Sequence, residues 1–243
     1  MMGFQKEYLD LVLVPCGIII MFVYHIFLLF RYLNFPETTV VGFENHNKRA
    51  WVHRVMELND ISNMELPLSA LSSNTSAATY LASISLGLSS LIGAWIASNN
   101  NIFVSVLIYG DTSPTTMMLK YISLLLCFFL AFFCFVQATR CFINATYLIT
   151  MPNSDTPIYY VEVAIIRGGE FWQLGLRSLY FALNLLLWFF GPIPMLASSI
   201  IMVILLHYLD SNSTPLHDFQ ASSKQLGHRS INNVVATTAE HNV

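Results

Sequence analysis

Charge is what this sequence has least of: 10% of its 243 residues are Asp, Glu, Lys or Arg, against about 25% in soluble domains, while 55% are apolar. So few charges cannot clothe a globular body of this size in water, and immersion in lipid explains the deficit without an outsized core. Surplus positive charge is missing too; a formal net charge of −3 excludes a nucleic-acid binder built on bulk basicity. Cysteine is absent from every polar stretch. Cys16, Cys127, Cys134 and Cys141 stand within apolar runs, which excludes a disulfide framework in the loops. The chain has no phosphate-binding glycine loop, no HExxH and no paired-cysteine metal spacing, and no Ser-His-Asp set stands out, so no cofactor, metal ligand or catalytic residue is assigned.

What is present is four apolar stretches, each close to the roughly 20 residues a helix needs to cross about 30 Å of hydrocarbon. They run from Leu11 to Phe30, from Ala77 to Ala97, from Tyr121 to Tyr147 with Arg140 interrupting, and between Arg177 and Asp210. The first is too long for a signal peptide and lacks a small-residue cleavage pattern, so it reads as a retained span. The Met-Met-Gly start is not followed by the Ser/Thr that myristoylation prefers. The expected fold is an all-α polytopic membrane protein: a four-helix transmembrane bundle over residues 1–210 and a disordered tail over 211–243, where Ser, Asn, Thr and His leave little to bury.

Loops one and three carry most of the basic residues: Arg31, Lys48, Arg49 and Arg54, then Arg167 and Arg177, with Arg140 close by. The positive-inside rule makes these loops cytosolic and, for four spans, puts both termini on the other side of a plasma membrane or endomembrane. The sequons Asn74-Thr75-Ser76 and Asn212-Ser213-Thr214 would then lie on opposite faces. Within loop one, His46 to Ile61 sets Trp51, Val55 and Leu58 on one helical face and Arg49, His53, Glu57 and Asp60 on the other. Such a helix either lies in the headgroup layer or packs against the end of the bundle.

Small residues mark how the spans should meet. Cys127, Ala131, Cys134, Ala138, Cys141 and Ala145 form a stripe on the third span, and Ser83, Gly87, Ser90, Ala94 and Ala97 form one on the second; these stripes are expected to pack on each other. The cysteines read as small apolar residues. Gly191, Pro192 and Pro194 must kink or break the fourth segment, whose halves are each too short to span alone. One Pro-kinked span is expected, with a re-entrant hairpin and a functional discontinuous helix as the alternatives.

Intramembrane polar residues are candidate functional groups by default. His25, Thr79, Ser83, Gln137, Arg140, Asn144 and Asn184 all fall toward the side of loops one and three. Gln137, Arg140 and Asn144 make their own stripe beside the Cys/Ala one. Loop three adds Arg167, Glu170, Trp172 and Arg177 from RGGEFWQLGLR, where Gly168 and Gly169 suggest a turn, and Arg49 comes from loop one. Together they outline a basic, aromatic-edged locus at headgroup level that would take an anionic group such as a lipid headgroup. The plainer reading is snorkelling arginines and an aromatic belt.

Several runs resemble a known family: NKRAW (47–51), ATYLAS (78–83), FVQATRCFINA (135–145), and above all FWQLGLRSLYF (171–181) and LWFFGPIPM (187–195). Over roughly residues 5 to 210 the chain is similar to the plant and bacterial family called domain of unknown function 599, more closely to its plant members. The resemblance implies a multi-pass membrane protein without an established activity. Plant relatives tend to carry a basic residue shortly before the second span, where this chain reads LSSNTS. Three classes of function stand open: a non-catalytic protein binding lipid or a partner, a small transporter or channel subunit acting as a homo-oligomer, and a membrane-embedded enzyme using His25 or Glu170.

Overall fold

The computed structural model describes residues 6–57, 64–98, 113–151 and 157–216. They form six α-helices: α1 Lys6–Asn34, α2 Val40–Met56, α3 Glu65–Ala97, α4 Pro114–Thr150, α5 Ile158–Leu187 and α6 Pro192–Asp210. Four of these, α1, α3, α4 and α6, are long and apolar enough to cross a bilayer. Large apolar side chains stand exposed along them, among them Phe22 and Ile26 of α1, Leu126 and Phe133 of α4, and Ile201 and Ile204 of α6. A surface of that kind belongs against lipid. The protein is an all-α, multi-pass membrane bundle.

Asn34 ends α1 because Phe35 precedes Pro36, which disfavours helical backbone before it. Pro36–Thr38 make one 3-10 turn, and Thr39 caps α2 by accepting from the Gly42 amide at 3.2 Å. A Cβ on Gly42 would stand 2.0 Å from the Pro36 carbonyl oxygen, so this fold-back requires glycine. Expected to begin at His46, α2 begins six residues earlier, and of the run expected to reach Ile61, residues 58–61 lie outside the described residues. It buries Asn45, Ala50, Val52 and Val55, and His53 meets Glu162 of α5 at 2.8 Å, so it packs on the bundle.

Helices α3, α4 and α5 run antiparallel in sequence with α4 in the middle. On α4, Ala131, Cys134, Ala138 and Ala145 are buried, as are Phe135 and Phe142 seven residues apart. Those two rings enter notches at Gly175 and Gly168 of α5, also seven apart, where a Cβ would come within 2.8 and 2.6 Å of them. This corrects the expectation of a turn at Gly168-Gly169: both glycines are helical and serve as holes for side chains, Gly169 admitting Lys48. The stripe expected on α3 is also corrected. Ser83, Gly87, Ser90 and Ala94 are exposed, and Ala78, Ala82, Ser85, Ser89 and Ile92, about one residue's rotation away, are the buried set. Alanine fills the contact as well as glycine or serine, and the serine and threonine hydroxyls bond back to their own helix, as Ser83 does to Thr79 and Ser90 to Leu86.

The fourth expected span is two helices and not one kinked one. Trp188 to Gly191 form a tight turn, Gly191 adopts φ 136°, and Pro192 starts α6. The arms then run antiparallel: Asn184 donates to Ser199 at 2.6 Å near the turn, and Arg177 pairs with Asp210 far from it. A kinked helix leaves its halves diverging, whereas a positive-φ glycine followed by proline at the first helical position reverses the chain.

One polar stripe on α5 explains how a helix with several charges enters the bundle. Glu170, Arg177, Asn184 and Trp188 recur at steps of seven, seven and four, on one face. Glu170 accepts from Tyr32 at 2.7 Å, Arg177 pairs with Asp210, which also accepts from Tyr24 at 2.7 Å, Asn184 bonds Ser198 and Ser199, and the Trp188 indole donates to Asp10 at 2.7 Å. Every partner comes from α1 or α6.

These contacts fix the direction of each helix. The N-terminal end of α1, at Asp10, lies by the Trp188–Gly191 turn, which we term the hairpin end. Residues after α6 lie at the opposite, loop-one end, where the Asn212 amide donates to Thr38 O at 3.0 Å and Ser211 bridges Thr39. The described ends of the chain are at opposite ends of the bundle, where four traverses would have put them at the same end, because α5 runs along the bundle between α4 and α6. Both sequons fall toward the loop-one end, Asn74 within α3 and Asn212 beside Thr38. Of the tail, residues 211–216 are described, and 217–243 lie outside the described residues.

Candidate functional site

A single level ties the helices together. Tyr32 meets Glu170, Thr79 meets Thr139 at 3.5 Å, and Phe142 seats at Gly168, so Tyr32, Thr79, Arg140 and Glu170 stand at about the same height. From there to the hairpin end α1, α3, α4 and α6 are largely apolar, and α5 runs from Phe171 to Leu187, 17 residues or about 25 Å at about 1.5 Å each, with its polar stripe turned to α1 and α6. Beyond that level the far parts of α3, α4 and α5 continue with α2 packed against them. The candidate residues gather at that level.

Between α4 and α5 at this level lies an open groove of about 750 Å³ that brings together Gln137, Arg140 and Asn144 from α4 with Arg167 from α5. Tyr147, Tyr160 and Phe171 are its aromatic edge. Both arginines are exposed, and neither pairs with a carboxylate of a described residue. Two guanidinium groups on adjacent antiparallel helices, with two amides beside them, can hold an anionic oxygen group from two sides.

The other expected residues are elsewhere. Arg177 is half of the interhelical pair with Asp210, its side chain 11% exposed, so it is not available to a ligand. Asn184 is buried in the α5–α6 contact. Glu170 is engaged by Tyr32, which also accepts from Asn45 at 3.1 Å. His25 places Nδ1 2.7 Å from Met21 O on its own helix and lies against the Phe181 ring, well away from the groove. Arg49 is exposed on α2 and is not among the residues lining this groove. Trp172 stands edge-on to Phe135 at 5.6 Å and turns toward a second cavity on the other face of α5. Sequence reasoning missed Lys120 as well, fully buried with its ammonium 5.2 Å from the ring of Trp188, whose indole N–H donates to Asp10. The signal was Asp10 and Lys120, each at the edge of an apolar run.

The sequence model of a family described as protein of unknown function, DUF599, matches residues 12–215. The chain belongs to that family. The matched stretch takes in α2, α3, α4, α5 and α6 and nearly all of α1, so the groove and the polar stripe both lie within the DUF599 region. No curated protein and no solved structure matches this DUF599 chain.

Proposed function

We propose that this DUF599 protein is a non-catalytic membrane protein that binds lipids with anionic headgroups in the groove between α4 and α5. The reading rests on Arg140 and Arg167: two exposed arginines from neighbouring helices, without carboxylate partners among the described residues, at the height where α1 ends and headgroups begin. Tyr147 and Tyr160 flank them as interfacial aromatics do.

The loop-one end is the cytosolic one in this reading. Arg31, Lys48, Arg49, Arg54, Arg140, Arg167 and Arg177 lie toward it, against Lys6 and Lys120 toward the hairpin end, among the described residues. Anionic lipids of the inner leaflet would then meet the groove directly.

Near a membrane surface each basic residue contributes about 1 kcal/mol to holding anionic lipid, roughly a fivefold effect apiece. Lipids retained by protein in native nanodiscs should accordingly be enriched in anionic species over the surrounding membrane. Replacing Arg140 and Arg167 together by Leu should abolish the enrichment and leave thermal unfolding unchanged. A bulk-like lipid profile around the parent protein would dismiss the proposal in favour of a scaffold without lipid preference.

The other classes fare less well on the same geometry. The break at Gly191 is a closed turn whose arms bond each other, so the feature that favoured a transporter has a structural use. His25 and Glu170, the residues an enzyme would need, are held in contacts within the bundle.

A further inference from the structure

On the opposite face of α5 from the arginine groove lies a cavity of about 570 Å³, within the range of sites that enclose small ligands. It exists because α2 leans on α5 and α3 leans on α4, leaving a gap between α2 and α3. Phe142, Ile165 and Trp172 line the inner part with Leu71, and Trp51 of α2 forms the facing aromatic wall. Ala70, Asn74 and Ala77 of α3 are exposed and mark the mouth, which reaches down almost to the level of Thr79, where hydrocarbon begins.

The polar groups in this cavity differ in kind from those of the arginine groove. Lys48 and Glu44 neutralise each other at 3.3 Å, and Gly169 lets the Lys48 ammonium lie across α5, since a Cβ there would stand 2.6 Å from it. The amides of Asn47, Asn74 and Gln173 carry no charge. Asn47 Oδ1 is buried and accepts no hydrogen bond from the described residues. Buried acceptors are almost always partnered. An unpartnered acceptor on a residue that lines the cavity suits a neutral headgroup that donates a hydrogen bond.

We propose that this cavity is a second binding site, for an uncharged amphiphile whose hydroxyl head donates to Asn47 and whose apolar part lies between Trp51 and Trp172 toward the bilayer. It is independent of the arginine groove and does not need an anionic lipid.

The test uses the full-length protein in phosphatidylcholine nanodiscs with a diazirine-bearing monoacylglycerol as photoprobe. Labelling should concentrate on peptides containing residues 44–51, 70–77 and 165–173, and unlabelled monoacylglycerol should compete. Asn47→Leu should weaken competition about tenfold, the order expected of one buried hydrogen bond. Ala77→Trp fills the mouth from an exposed position and should remove most of the labelling while thermal unfolding stays unchanged; Ala70→Leu does the same should the tryptophan variant not fold. Labelling spread evenly over lipid-facing positions such as Leu126 and Ile204, and indifferent to Ala77→Trp, would overturn the site. Competition by phosphatidylserine as strong as by monoacylglycerol would overturn the assignment to a neutral ligand.

Discussion

The ion pair between Arg177 and Asp210 is the place to perturb this bundle, because it ties the charged stretch of α5 to α6. The two side chains are 11% and 9% exposed, and Tyr24 donates to the second carboxylate oxygen at 2.7 Å. With so little solvent to screen it, removing one partner leaves a charge in low dielectric, which costs about 3–5 kcal/mol. Asp210→Ala and Arg177→Leu should each lose that much. Tyr24→Phe removes one hydrogen bond to a charged group and should lose about 1.5–3 kcal/mol. The double variant Arg177→Leu with Asp210→Ala is the informative one. With neither charge present the desolvation cost disappears, and a pair replaced by apolar side chains is often neutral or better. It should therefore recover most of either single loss, giving a coupling energy of about 3 kcal/mol or more. Reversible unfolding by sodium dodecyl sulfate in mixed micelles, followed by circular dichroism, measures the parent and its four variants on one scale. If Asp210→Ala cost under about 1 kcal/mol, or the two single losses simply added in the double variant, the pair would not be buried and coupled as described, and the account of α5 would fail.

Other perturbations separate the observed arrangement from its alternatives. Gly191→Ala should destabilise by about 1–3 kcal/mol, because φ 136° with ψ 169° is a region for glycine alone, whereas in a kinked helix the same change would stabilise; the sign of the melting shift decides. Gly87→Ala meets nothing within 4 Å and should stabilise by about 0.5–1 kcal/mol, while Gly175→Ala, with the Phe135 ring 2.8 Å from its Cβ, should lower the melting temperature. An impermeant maleimide should label Ser213→Cys and Arg49→Cys from one side of sealed vesicles and Lys6→Cys from the other; labelling of Ser213→Cys from the same side as Lys6→Cys, with Arg49→Cys opposite, would return the chain to an even number of crossings.

How much of this was legible depends on whether the physics is local. Four apolar rods, the helical character of loop one and the break at Gly191-Pro192 follow from composition and backbone chemistry, which each segment carries within itself. Gln137, Arg140, Asn144 and Arg167 were identifiable as candidates because polarity beside an apolar run is visible in one dimension. Which way a helix turns after a break is decided by partners far away in the chain: Asn184 by Ser198 and Ser199, Arg177 by Asp210. Small-residue stripes failed on α3 for a related reason. Serine and threonine satisfy their own hydroxyls against the preceding turn, so a polar small residue on a span does not have to face a neighbour.

The hidden traverse is the more general lesson. A hydropathy window weighs each residue as though it faced lipid alone, and residues 171–190 fail that test through Gln173, Arg177 and Asn184. What admits them is complementarity: the carboxylates at the two ends of the apolar rods, Asp10 of α1 and Asp210 of α6, meet Trp188 and Arg177 of α5. Reading Asp10 and Asp210 only as the limits of apolar runs gave them to the headgroup layer, and with them went the partners that let α5 pack along the bundle. A polar stripe at steps of seven and four, on a helix too charged to span alone, is therefore a reason to look for its counter-charges at the ends of neighbouring spans before assigning it to a loop. Where those counter-charges exist, the traverse count changes parity and the chain's two ends part company, as Asp10 and Asn212 do here.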